Sequence, residues 1–148
     1  MNIAEFFTIQ EFVPKDVYDQ YGKYCVMFFN PKLFYVSDQL RKKFGPTLIN
    51  SWSWGGHRQY SGLRPPEVDI GARLSIHRIG AAIDPIFIEQ ERPEVYNHLI
   101  NNQKYWRYIG ITTILDYGDE DYPSHIHIDC RNIEGLGVDN EKLLIIRV

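Results

Sequence analysis

A chain of 148 residues, 44% hydrophobic and 24% charged, has the size and composition of one folded domain with a real hydrophobic core, and a single domain over 1–148 is expected. The net charge of −3, with Lys and Arg scattered, excludes the basic stripe of a nucleic-acid binder and gives an anionic membrane nothing to attract. No apolar run reaches the ~20 residues that span a bilayer, so no membrane insertion is expected.

The elements follow in chain order. "MNIAEFFTIQEF" carries acidic residues and no basic n-region, so no secretion signal is expected and the chain is expected to be made in a cytoplasm. A short helix is predicted after Pro14, over "KDVYDQYG". "FNPKLFYVSDQLRKKFGP" predicts a longer one. There Asn30 can cap, Pro31 suits the first helical position, and Leu33, Val36, Leu40 and Phe44 recur on one face. Arg41, Lys42 and Lys43 form its solvated end, and Gly45-Pro46 stops it. "TLINSW" reads as a strand. "SWGGHRQYSGLRPPEVDIGAR" reads as a long loop with a short strand near Gln59 to Gly62, and a loop this long is more often functional than idle.

"AAIDPIFI" reads as one buried strand and "PEVYNHLINNQKYW" as one helix with Pro93 in its first turn. "IGITTIL", "SHIHIDC" and "KLLIIRV" are strand-like. The order predicts an α+β fold, with N-terminal helices packed on a small, largely antiparallel sheet. Cys25 and Cys130 lie in no C-x-x-C pair and read as two buried free thiols. Trp52, Trp54, Tyr60 and Trp106 serve either a cleft or core packing; His98 reads as a surface or packing residue, and His57 and Arg58 as surface residues.

The chemistry concentrates in two stretches. If "SHIHIDC" is a strand, His125, His127 and Asp129 share one face, and Ile126, Ile128 and Cys130 share the other. The apolar face belongs to a core. Three ionisable groups in a row need a partner, which a divalent metal, a hydrogen-bonded polar patch or solvent could each supply. "LSIHRIGAAIDP" brings His77 and Asp84, turning at Gly80. Zinc accepts imidazole and carboxylate donors, and His77, Asp84 and His127 together would make a catalytic set of three protein ligands.

Taken together, Ser75, His77, Gly80, Ala82 and Asp84, followed by His125, His127 and Asp129, resemble the motif pair of the M15 family of zinc D-Ala-D-Ala peptidases, in the Hedgehog/DD-peptidase superfamily: S-x-H-x-x-G-x-A-x-D, then H-x-H-x-D. The "SGLR" of Ser61 to Arg64 matches the family's upstream S-G-x-R, and the likeness covers roughly Phe34 to Arg131. The resemblance implies a zinc site of His77, Asp84 and His127. It also implies catalytic roles for His125, which would stabilise an oxyanion, and Arg64, which would grip a substrate carboxylate or the tetrahedral intermediate. Asp129 would orient a ligand imidazole. The family's general base precedes the last histidine. Here "DYGDEDYPSH" offers Asp116, Asp119, Glu120 and Asp121; Asp121 has the expected offset from His127, with Glu120 next.

The implied activity is zinc-dependent hydrolysis of amide bonds in peptidoglycan stem peptides or cross-bridges. A phage or prophage product is implied, acting on the bacterial cell wall as an endolysin or beside other virion proteins. A different class stays open: a catalytically silent module of the same fold within a phage particle. A peptidase for small D-Ala-D-Ala peptides in a cytoplasm is a third reading.

Overall fold

The computed structural model describes residues 3–117 and 124–148. The chain is α+β. Among the described residues four α-helices, α1 (Lys15–Tyr21), α2 (Lys32–Phe44), α3 (Arg92–Asn101) and α4 (Gln103–Ile109), accompany six short strands. Helix α2 starts as its sequence predicts: the Asn30 side chain accepts the Lys32 N–H at 3.1 Å, and Pro31 adopts a helical φ of −62°. The chain leaves it at Gly45, whose φ of 82° suits glycine. Leu33, Val36, Leu40 and Phe44 are all buried, as the stripe requires.

That face meets an aromatic cluster. Phe7, Phe12, Phe29 and Phe34 pack mostly edge-to-face, with centroids 5.1 to 5.9 Å apart. The same core continues through Phe44 and fully buried Trp106 to Ile126, Ile128 and Cys130. Both cysteines are buried and free.

Strands β1 (Thr47–Leu48) and β3 (Ile86–Phe87) pair antiparallel. Strands β2 (Ala82–Ile83), β4 (Thr113–Asp116), β5 (Ile128–Asp129) and β6 (Leu144–Arg147) form a sheet of order β2-β5-β4-β6. Its β2–β5 and β5–β4 pairs are antiparallel and β4–β6 is parallel, so this sheet is mixed.

Several elements differ from expectation, each for a local reason. "AAIDPIFI" is two strands in two sheets, because Pro85 has no N–H for the ladder and breaks it after Ile83. The predicted helix over 93–106 is interrupted at Asn102, which takes φ −122° and ψ 32° while its amide donates to the His98 carbonyl at 2.9 Å. "TLINSW" yields only β1, with a 3-10 turn at Trp52–Trp54. Gln59 to Gly62 forms no strand. Its backbone groups are spent on the site described next.

Candidate metal centre

The antiparallel register pairs Ala82 with Asp129 and Ile83 with Ile128. One step further along both chains sets Asp84 opposite His127. Strand β5 is shorter than the strand expected over 124–130, yet side chains still alternate along 126–130: Ile126, Ile128 and Cys130 enter the core, while His127 and Asp129 meet on the other face.

His77 arrives on a 3-10 turn, Ile76–Ile79. The Ser75 hydroxyl accepts the His77 N–H at 3.4 Å, and Gly80 closes the turn with φ 63°. A side chain at Gly80 would bring its Cβ within 2.0 Å of the Phe28 carbonyl oxygen, so this corner needs glycine on two counts. Ala82, fully buried, lies across from Asp129.

Three donor atoms converge. His77 Nε2 is 3.1 Å from Asp84 Oδ1 and 3.1 Å from His127 Nδ1, and His127 Nδ1 is 2.9 Å from Asp84 Oδ1. His77, Asp84 and His127 form the one group of this kind among the described residues that could hold a metal ion. Donors tetrahedrally arranged at ~2.0–2.2 Å from an ion stand roughly 3.3–3.6 Å apart, so these atoms are gathered to within about half an ångström of that spacing.

Each ligand is held from behind. His77 Nδ1–H donates to the Gly62 carbonyl at 2.7 Å, which leaves the Nε2 lone pair facing the site. A Cβ on Gly62 would sit 2.1 Å from the Phe12 carbonyl oxygen, so glycine is required there too. The Asp84 N–H donates to the Ser61 carbonyl at 2.7 Å, and Arg64 forms an ion pair with Asp84 Oδ2. The "SGLR" segment thus touches both ligands of the first motif. His127 Nε2–H donates to Asp129 Oδ2 at 3.1 Å, and Arg131 forks onto that carboxylate.

The electrostatics follow from burial and partners. Burial lowers the His77 imidazole below its ordinary value, against the pull of Asp84. Burial opposes the charge on Asp84, but the His127 and His77 imidazoles beside it outweigh burial and hold the carboxyl far below the usual carboxylate range. Burial likewise opposes a charge on His127, yet Asp129 and Asp84 outweigh it and raise its value. Two buried carboxylates therefore favour positive charge between them, a demand that a divalent cation also meets.

The centre opens into a cleft of about 460 Å³ lined in part by Arg64, His77, Tyr117, His125, His127 and Arg131. His125 Nε2 lies 3.9 Å from Asp84 Oδ2, too far for a hydrogen bond, and burial pushes its imidazole down. Arg64 also lines a neighbouring cleft of about 570 Å³.

The candidate bases divide. Asp119, Glu120 and Asp121 lie outside the described residues. Asp116 hydrogen-bonds Tyr96 and stands 3.8 Å from Arg147, and it is not among the cleft residues. Asp84 is the one side-chain carboxylate among the described residues that line this cleft.

Other expectations need correcting. Arg58 is no surface residue: it is half-buried, and its guanidinium donates to the carbonyls of Ile49 at 2.8 Å and Asp84 at 2.6 Å. It braces the segment that carries a ligand. A lone Arg in a Gly-rich loop gives no sequence signal for that, since its partner lies 26 residues away. None of Trp52, Trp54, Tyr60 and Trp106 lines the metal cleft; its aromatic wall is Tyr117, unforeseen in the sequence. His57 is exposed, and His98 packs against Phe44 with centroids 5.3 Å apart.

No family model matches the chain, and no curated protein or solved structure matches it. Among the described residues, no helix is long and apolar enough to cross a membrane.

Proposed function

We propose that the chain is a zinc-dependent peptidase, similar to the M15 D-Ala-D-Ala peptidases, that hydrolyses amide bonds of peptidoglycan stem peptides or cross-bridges. The observation that carries this reading is the convergence of His77 Nε2, Asp84 Oδ1 and His127 Nδ1, each with a second partner behind it, at the wall of an open cleft. Two imidazoles and one carboxylate make a donor set that suits catalytic zinc and leaves a position open. When bound there, zinc supplies Lewis acidity, which polarises an amide carbonyl and makes water a nucleophile near neutral pH.

The chain's own residues do the rest. His125, beside the cleft and neutral once burial has lowered its value, is placed to donate a hydrogen bond to an oxygen that gains charge. Arg64 supports the charge on Asp84 and presents its guanidinium edge to two clefts, where a peptide carboxylate would find it. Asp121, or Glu120 beside it, is the base that takes the proton of the attacking water and passes it to the leaving amine. A phage or prophage setting, as an endolysin or a virion-associated wall hydrolase, belongs to the same reading.

A silent structural module of a phage particle is the second reading. It is favoured by one observation: His77, Asp84, His127 and Asp129 already satisfy one another, Arg64 and Arg131 through hydrogen bonds and ion pairs, so the cluster can serve as a structural polar network. The deciding experiment is mass spectrometry of purified peptidoglycan after incubation with zinc-loaded protein, beside the His127→Ala variant. New fragments made only by the unmodified protein establish the peptidase, and their masses name the bond. A protein that binds zinc but yields no fragments from several wall chemotypes is the silent module.

A further inference from the structure

We infer that Arg131 is a positioning residue of the metal centre: it grips Asp129, and through Asp129 it fixes the His127 imidazole with Nδ1 turned toward the metal. The inference rests on the metal reading of the site and extends it by one layer.

Asp129 is completely buried, and both of its oxygens are used. Oδ1 accepts the Arg131 backbone N–H at 3.2 Å and Nε–H at 3.0 Å, with the Thr112 hydroxyl at 3.5 Å. Oδ2 accepts from Arg131 Nε at 2.9 Å and Nη2, and from His127 Nε2 at 3.1 Å. One arginine therefore supplies most of the donors to the carboxylate. His127 has only two ring nitrogens; with Nε2–H committed to Asp129, Nδ1 is the one left to face His77 and Asp84. A carboxylate held by a planar fork cannot rotate away from the imidazole. A carboxylate without that fork keeps only the Thr112 hydroxyl and backbone N–H contacts, and its hold on the ring loosens. Lysine can return the charge but not the paired geometry.

Arg131 also lines the metal cleft, so two other roles compete: a substrate contact that leaves the metal alone, or a counter-charge that merely keeps Asp129 tolerable in the interior. The three roles differ in measurable ways. Zinc affinity by chelator competition, and the visible spectrum of the cobalt(II)-loaded protein, would be compared for the unmodified chain, Arg131→Leu, Arg131→Lys, Asp129→Asn and the double variant Arg131→Leu with Asp129→Asn. Thermal melting of the metal-free forms reports folding.

The expected result is a loss of zinc affinity of about 10- to 100-fold for Arg131→Leu, and a comparable loss for Asp129→Asn. The double variant should bind no worse than Asp129→Asn alone, because the two residues act in series. Arg131→Lys should recover part of the affinity, and the cobalt spectrum should shift in Arg131→Leu. If Arg131→Leu does not fold, the same cycle is run with Arg131→Lys. Unchanged affinity in the Arg131 variants, or losses that multiply in the double variant, would overturn the inference while leaving the metal centre standing. An unmodified chain that takes up neither zinc nor cobalt overturns the centre itself, and the inference with it.

Discussion

The two faces of the segment 126–130, which contains β5, obey different rules although they alternate residue by residue. Ile126, Ile128 and Cys130 are held by burial, which has no direction and asks only for volume. His127 and Asp129 are held by hydrogen bonds at 3.1 Å, and through them by Arg131, Thr112, Asp84 and His77. The apolar face explains why the strand stays in place. The polar face supplies a side chain, His127, to the group that could hold a metal ion. A change on one side should leave the other largely readable, and that is the way to break the comparison.

The largest effect on stability is expected from Ile128→Ala, at the centre of the core. Deleting that side chain should cost about 2–5 kcal/mol in urea unfolding, while zinc affinity of the folded protein changes little. A large fall in affinity in the fully folded variant would mean that the faces are not separable. Gly80→Ala comes next. Its Cβ would need the Phe28 carbonyl to retreat from 2.0 Å at a φ of 63°, which should cost on the order of 2–3 kcal/mol and misplace His77. A wild-type melting temperature in that variant would show that the 3-10 turn is looser than the close approach implies.

On the polar face the order of losses reverses. His127→Ala should reduce zinc affinity by ~10²-fold or more and remove any hydrolysis, with a stability cost smaller than that of Ile128→Ala. Retained activity without metal would end the metal-centre reading. The smallest effect concerns the pH response of a buried carboxylate outside the site. Glu11 is buried beside Thr8, and burial raises its value from 4.5 against the hydrogen bonds of Thr8. Its folded-state value is thus above its unfolded one, so its ionisation costs stability at neutral pH, and that cost is relieved as pH falls toward 4.5. Glu11→Gln should keep the cap through its carbonyl oxygen and flatten the pH dependence of urea stability across that window. A variant with unchanged pH dependence would show that Glu11 does not carry it. Asp84, equally buried, is shifted the opposite way because two imidazoles face it. Burial sets the sign at Glu11, and the partners set it at Asp84.

Much of this was legible along the chain, and its limits were physical. Helix α2 was readable because its cap, its apolar stripe and its glycine stop are local signals. The alternation of His125, His127 and Asp129 against Ile126, Ile128 and Cys130 was readable because strand geometry has a period of two. The break at Asp84-Pro85 and the interruption at Asn102 were missed, although each has a recognisable residue at the point of failure. The bracing of the site by Arg58 had no such signal, since its two partners are backbone carbonyls, 9 and 26 residues away.

The amino-acid order by itself determined which residues could ligate, that His77 and Asp84 flank a glycine turn, and that His127 and Asp129 share a strand face, because caps, turns and pleats depend on neighbours a few residues apart. Only the tertiary structure decided that these groups meet. The register of β2 against β5 sets Asp84 beside His127, and the "SGLR" backbone reaches both His77 and Asp84. Arg131 closes the far side of the centre. Apart from the local grip of Arg131 on Asp129, those contacts join segments 15 to 50 residues apart, and what brings them together is the burial of one shared core, which no local pattern encodes.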